Sequence, residues 1–243
     1  MLPMRKPVVM RLLELNQNFY NTFARSFRDS RSHTEPGLER ALAHVPPGSR
    51  VLDLGCGQGR LAGLLPPGCA YTGVDYAIDL LSLAPRSVGN LAEAPRWVAG
   101  DLVTDEWIDN VGHGFDWVVL RAVLHHIPSA ALRAEVVSRA ADRLQLGGKM
   151  LIANWQFLRI PRLRSRVLPW AAVGLSDADV DPGDYLLDWQ RDGRGLRYVH
   201  LLDEAETRRL ATDAGLLVEA LYYADGHTND LTLYALLTRD RDG

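Results

Sequence analysis

Lysine is nearly missing from this 243-residue chain: only Lys6 and Lys149 stand among its 27 basic residues. Arginine is therefore the default cation, and an isolated arginine says little about guanidinium chemistry. Cysteine is scarce too. Cys56 and Cys69 are too few for a disulfide framework or a zinc site, and a reducing compartment is expected. No apolar run approaches the roughly 20 residues that cross a bilayer. Arg5 and Lys6 precede no long apolar segment with a small-residue cleavage site. The expectation is a soluble, cytoplasmic protein with no stable membrane insertion and no metal. A surplus of positive charge is also lacking. The formal net charge is −3, so any contact with nucleic acid phosphates must be local.

What is present is apolar and periodic. Apolar residues make up 47% of the chain, enough for one sizeable core, and residues 1–243 are expected to form a single domain. Residues 8–48 predict two N-terminal helices: Leu12, Leu13, Leu15, Phe19, Tyr20, Phe23 and Phe27 recur at helical spacing, and "EPGLERALAHV" is a second amphipathic segment. "VPPGS" ends them and "RVLDLG" begins a buried strand. Strand-like runs ("AYTGVD", "RWVAGD", "FDWVVL", "KMLIANW") then alternate with helix-like ones ("GRLAGLL", "AIDLLSLA", "ALRAEVVSRAADRL"). This predicts an α/β fold, Rossmann-like and doubly wound, with a mostly parallel seven-stranded sheet ending in an antiparallel hairpin after "DEAETRRLATDAG". Between these, residues 156–200 lose their periodicity in a Pro-, Gly- and Asp-rich stretch, which predicts an irregular lid insertion over the carboxyl edge of the sheet.

The chemistry is expected at the first strand-to-helix turn, "LDLGCGQGR". Gly55, Gly57 and Gly59 let the backbone turn tightly and approach a ligand. Asp75 ends the next strand, where a carboxylate can accept both hydroxyls of a ribose. A dinucleotide turn spaces its glycines as GxGxxG to rest pyrophosphate on a helix N-terminus. Here the last glycine comes one place early, arginine follows, and Asp53 precedes the turn. That carboxylate would repel pyrophosphate and suit an ammonium, such as the methionyl end of S-adenosylmethionine.

"VLDLGCGQGRLA" resembles the first motif of class I S-adenosylmethionine-dependent methyltransferases, and "YTGVDYA", "VAGDL", "LRAVLHHI" and "LQLGGKMLIANW" resemble their next four motifs in order. The resemblance implies S-adenosyl-L-methionine as cofactor. It assigns Asp53, Gly55 and Gly57 to the methionyl end and Asp75, with Tyr76 beside it, to the ribose. Asp101 and Leu102 go to the adenine, Arg121 and Ala122 to the floor near the sulfonium. Outside these motifs, "NFYNTFARSFRDSRSHTEP", "GDYLLDWQ" and "LRYVHLLDEAE" are similar to segments of the tRNA wobble 5-carboxymethyluridine methyltransferases, the type also found fused to an AlkB-type hydroxylase. Two positions depart from that pattern: Glu35 stands for a tryptophan and Asp188 for a proline. Some eukaryotic relatives use a small zinc-binding activating subunit, for which the sequence identifies no surface.

Methyl transfer from a sulfonium is an in-line displacement that needs orientation and a dry site, because the leaving group departs neutral. A carboxylate acceptor is already ionised and needs donors; a phenol or amine needs a base such as histidine. The residues expected at the acceptor are Tyr20, Arg31, His125, Arg197 and Tyr198. Arg31 and Arg197 would pair with a carboxylate. Tyr198 and Trp189 would stack on a base or else pin the insertion to the sheet, and His125 or His126 would act as base or pack. His200 is open in the same way. Arg159, Arg162, Arg164 and Arg166 form a local basic run that suits phosphate contact, an amphipathic surface segment or a solvated face. Six aspartates between Asp177 and Asp192 nearly cancel it. The expected acceptor is a modified tRNA uridine, with a small molecule of the quinone or natural-product kind as the rival and a turnover-free cofactor sensor as the non-enzyme alternative.

Overall fold

The computed structural model describes residues 3–29, 35–191 and 193–240. Helices α1 (Lys6–Asp29) and α2 (Pro36–Leu42) precede β1 (Arg50–Leu54). Then come β2 (Ala70–Asp75), α3 (Ile78–Ser82), β3 (Arg96–Ala99), α4 (Ile108–Val111), β4 (Phe115–Arg121), α5 (Ala130–Ala141) and β5 (Leu144–Trp155). They are followed by α6 (Pro161–Arg164), β6 (Val167–Leu168), β7 (Asp184–Trp189) and β8 (Gly195–His200), and the chain closes with α7 (Glu204–Asp213), β9 (Leu216–Ala224) and β10 (Thr232–Arg239). The main sheet has the order β3-β2-β1-β4-β5-β10-β9, parallel from β1 to β5 and antiparallel where β10 joins β5 and β9. This is the doubly wound sheet with a closing hairpin that the sequence predicts.

The strands are apolar throughout because alternate residues fill opposite faces. Leu52, Leu54, Val118, Leu120, Met150 and Ile152 pack under α5 and α7. Val51, Trp117, Val119, Leu151 and Ala153 pack on the other side against Leu38 and Leu42 of α2, with Tyr234. Asp203 caps α7 by accepting from the Glu206 N–H at 2.8 Å, satisfying one of the helix's orphan donors.

Three expectations change. "GRLAGLL" is only a 3₁₀ turn, Arg60–Leu64, and "AIDLLSLA" forms only the short α3. Pro66 and Pro85 follow closely, and proline pushes its predecessor out of helical backbone. The 156–200 stretch is not irregular: β6, β7 and β8 make a second, three-stranded antiparallel sheet. The prolines, glycines and aspartates that mask its periodicity lie mainly in its connections. This small sheet is sandwiched. Leu186 and Tyr198 face Val8 and Leu12 of α1, whereas Leu187 and Val199 face Phe157. Among the described residues no helix is long and apolar enough to cross a membrane.

Polar contacts lock the second sheet to the core. Arg133 of α5 is buried, and its guanidinium donates to Glu206 at 3.0 Å and to the Ile127 carbonyl at 3.1 Å, with Asp181 at 3.8 Å. His200 lies 2.6 Å from Asp184 and 2.7 Å from Glu206, and the Tyr198 hydroxyl donates to Asp184 at 2.6 Å. Burial opposes charge on His200, but the hydrogen bonds to the two carboxylates outweigh it and raise its pKa. Burial likewise opposes charge on Glu206. There the His200 hydrogen bond, with the charges of His200 and Arg133, wins and lowers the pKa to about 2.

Candidate active site

A cavity opens at the carboxyl ends of the parallel strands, where the order reverses between β1 and β4. The glycine turn forms one wall. Gly55 has φ +73°, and a Cβ there would stand 2.3 Å from the Val123 side chain, so both its conformation and its space demand glycine. Gly57 has φ +57°, and a Cβ would meet nothing within 4 Å; the turn is open towards the cavity. Gly55 and Cys56 donate their N–H groups to the Val74 carbonyl at 2.8 and 3.0 Å, which ties the turn to β2.

Asp75 ends β2 at the cavity wall and is buried. Its carboxylate accepts from the Gly57 N–H and the Ala77 N–H, both at 2.8 Å. Burial raises its pKa against those two bonds. Each oxygen retains capacity to accept from a hydroxyl. Tyr76, Asp101 and Leu102 also line the cavity, and Asp101 accepts from the Val103 N–H at 3.1 Å. Arg121 and Ala122 line it from the end of β4, Ala122 in a left-handed conformation at φ +59°. An open glycine turn, a braced carboxylate at the end of β2 and a second acid at the end of β3 fit an adenosyl ligand, and the cofactor positions Gly55, Gly57, Asp75, Tyr76, Asp101, Leu102, Arg121 and Ala122 come together here.

Asp53 does not join them. Its carboxylate accepts the Tyr71 hydroxyl at 2.6 Å, and it is absent from the cavity wall. Burial pushes its pKa up to about 6, against the Tyr71 hydrogen bond and the charge of Arg121. The β1 register turns this side chain towards Tyr71, so the ammonium-binding role expected of it has no geometric support.

Helix α1 supplies the opposite wall, with Leu13, Asn16, Gln17 and Tyr20 facing the cavity. Asn16 is buried; its amide donates to the carbonyls of His126 and Tyr198 at 3.0 and 3.2 Å and accepts the Tyr198 N–H at 2.9 Å. One turn further on, the Tyr20 hydroxyl and His126 Nε2 share a 2.6 Å hydrogen bond. His126, not His125, lines the cavity; His125 is wholly buried. Sequence reasoning passed over Asn16 because it stands in the polar run Asn16, Gln17, Asn18; its place one turn after Leu12, on the buried face of an amphipathic helix, is the signal that separates it from its neighbours.

The other expected acceptor residues are placed differently. Arg197 is buried behind the wall, its guanidinium carbon 4.9 Å from the Trp155 ring, 5.4 Å from Phe19 and 5.6 Å from Trp189. Burial lowers its pKa, opposed by its hydrogen bond with Tyr20 and that group's charge. It therefore reaches the cavity through Tyr20 and does not itself line it. Tyr198 is fully buried, with its hydroxyl spent on Asp184. Trp189 packs on Phe19 at 5.5 Å and donates to the Arg191 carbonyl at 2.6 Å. Both aromatic rings pin the second sheet and neither stacks in the cavity. Arg31 lies outside the described residues. In the basic run, Arg159 sits 3.9 Å over the Tyr223 ring, and Arg162 and Arg164 are exposed. Among the described residues no cluster of His, Cys, Asp or Glu is arranged to hold a metal ion.

The family described as "Methyltransferase domain" matches residues 26–221. A candidate methyltransferase of Encephalitozoon cuniculi is 31% identical over 223 residues, 91% of this chain and 93% of that one. A tRNA (carboxymethyluridine(34)-5-O)-methyltransferase of Schizosaccharomyces pombe is 29% identical over 136 residues, 56% of this chain and 55% of its own length. Among solved structures, an amino pentose methyltransferase of Micromonospora echinaspora, bound to S-adenosylmethionine, superposes with a TM-score of 0.59. It is 18% identical over 90% of this chain and 96% of that one.

Proposed function

The chain belongs to the methyltransferase-domain family, and from that premise we propose that it transfers the methyl group of S-adenosylmethionine to an oxygen, the carboxylate of a carboxymethyl-modified uridine in tRNA. The cofactor, when bound, supplies an electrophilic methyl on a sulfonium whose departure leaves a neutral thioether. Gly55 and Gly57 would give it a backbone wall, Asp75 would accept from the ribose hydroxyls and Asp101 from the adenine amino group.

The observation that carries the acceptor reading is the separation of charge in the cavity. Its acids, Asp75 and Asp101, stand at one end. The wall contributed by α1 and the β4 end carries Gln17, Tyr20 and His126, with Asn16 committed to backbone groups and Arg121 to Glu35. Apart from Glu35, which is paired with Arg121, the described residues lining that side include no acid, which suits an acceptor that is already an anion and needs positioning and no base. Tyr20, held between His126 and Arg197, can donate to one carboxylate oxygen while the other attacks. The likeness to the carboxymethyluridine enzymes supports the same acceptor. The exposed Arg162 and Arg164 are available to phosphates.

The test is transfer of labelled methyl to tRNA from cells lacking the modification. Incorporation should weaken steeply with salt, and Arg162→Glu with Arg164→Glu should flatten that dependence by about one unit of slope for each phosphate no longer neutralised. A second reading, a small apolar acceptor, is favoured by the mostly apolar lining of the cavity and the nearby aspartates. No label in tRNA together with turnover on a small acid or phenol would establish it instead.

A further inference from the structure

One charged pair stands at the cavity edge: Arg121, which lines it, and Glu35, which is bonded to Arg121. Arg121, at the end of β4, donates from Nη1 to both carboxylate oxygens of Glu35, at 2.9 and 3.0 Å, and the two side chains are 19% and 25% exposed. Both contacts use one nitrogen, so Glu35 does not take up the two-nitrogen fork that matches a carboxylate. The pair lies at the end of the cavity away from Asp101, beside the glycine turn and close enough to Asp53 for its charge to be felt there.

An adenosyl amino acid is polar at both ends, and they differ. The ribose and adenine end donates hydrogen bonds and carries no charge; the other end is a zwitterion, an α-ammonium and an α-carboxylate on one carbon. The cavity has matching ends. Asp75 and Asp101 would repel the α-carboxylate and can accept from hydroxyls and an amino group. The opposite end holds a cation and an anion side by side. Asp53, the acid at first suited to the ammonium, is committed to Tyr71. Glu35 is another carboxylate near that end, and it is already oriented beside Arg121.

We propose that the Arg121–Glu35 pair receives the amino-acid end of the cofactor, the α-carboxylate on the Arg121 guanidinium and the α-ammonium on Glu35. The exchange makes no net charge: one buried-edge ion pair becomes two, each charge keeping an opposite partner throughout. In the ligand-free protein each side chain partners the other, so neither charge is left unpaired at the half-buried rim. The pair therefore sets selectivity for the complete cofactor over fragments without the amino acid. The proposal rests on the methyltransferase cofactor alone and is independent of which acceptor is used.

Calorimetry with three ligands tests it: S-adenosylhomocysteine, decarboxylated S-adenosylmethionine, and 5′-methylthioadenosine, which lacks the amino-acid end. Glu35→Gln should weaken the first two by about tenfold or more, the loss of one charge-assisted hydrogen bond, and leave methylthioadenosine within twofold. Arg121→Gln should weaken only S-adenosylhomocysteine to that extent. Unchanged binding of S-adenosylhomocysteine by Glu35→Gln, or an equal loss across all three ligands in either variant, overturns the assignment. Should Arg121→Gln fail to fold, the shape-conserving Glu35→Gln still decides. Wild-type protein that binds methylthioadenosine and S-adenosylhomocysteine equally would also refute it while leaving the adenosine site in place.

Discussion

The two ends of the cavity are built by different means. At the end proposed for the adenosine the lining is mainly backbone and residues close in sequence: a glycine turn, Asp75 bonded to the N–H groups of Gly57 and Ala77, and Asp101 bonded to Val103. At the end proposed for the acceptor the contacts described above are long-range. Asn16 reaches His126 and Tyr198, Tyr20 reaches His126, and Arg197 arrives from β8. The first end is fixed by local geometry, the second by how a helix and a second sheet dock on the core. A fold assembled this way can change its acceptor without disturbing its cofactor.

The sharpest way to break that comparison is Arg133→Met. It takes the guanidinium from Glu206, which keeps His200, and from Asp181, which keeps the Ala130 N–H, and should cost about 3 kcal/mol of stability in denaturant unfolding. Adenosine binding to the folded protein should be unchanged. A large loss of adenosine affinity would show that the two ends are coupled. Asp75→Asn is the converse: the amide oxygen still accepts from the backbone while the charge is lost, so binding of S-adenosylhomocysteine should weaken about tenfold or more by calorimetry, with a smaller change in melting temperature than Arg133→Met gives. Next comes Tyr20→Phe, which removes one hydroxyl from the acceptor wall. Turnover should fall roughly tenfold or more while cofactor affinity holds, measured as kcat against the dissociation constant.

The smallest effect is on pH. His200 has a raised pKa, so its contribution is complete below its ordinary value of 6.5 and is lost as pH rises through the raised one. Glu206 is lowered from 4.5 to about 2, so its contribution is complete above 4.5 and is lost as pH falls towards 2. Both are in force between roughly pH 4.5 and 6.5. Thermal melts should be highest there and fall by a few degrees, on the order of 1 kcal/mol, on the alkaline side. His200→Gln should flatten that alkaline fall.

The same division explains how much could be read in advance. The sheet order was legible because strand alternation is a local signal, and Gly55, Gly57, Asp75 and Asp101, the positions expected to hold the cofactor, line one cavity because glycine spacing and an acid at a strand end are local signals too. Asp53 was expected at the methionyl end, whereas its carboxylate meets Tyr71, a partner on the neighbouring strand that only the register brings to it. Between His125 and His126 no local rule chooses; the short 3₁₀ turn after β4 buries the first and presents the second. The second sheet was hidden by prolines and aspartates in its connections. The buried Arg133–Glu206 contact beneath it joins residues 73 apart in the chain, and nothing near Arg133 in the sequence marks it as a core residue.

The most direct test of the central claim, that an already ionised carboxylate receives the methyl group, is the chemical lability of the product. A carboxylate yields a methyl ester, which mild alkali hydrolyses to methanol. Label transferred to tRNA should therefore be released as a volatile one-carbon alcohol under mild base. Label that stays on the nucleoside after the same treatment would mean a methylated nitrogen, carbon or ether oxygen, and would contradict the account.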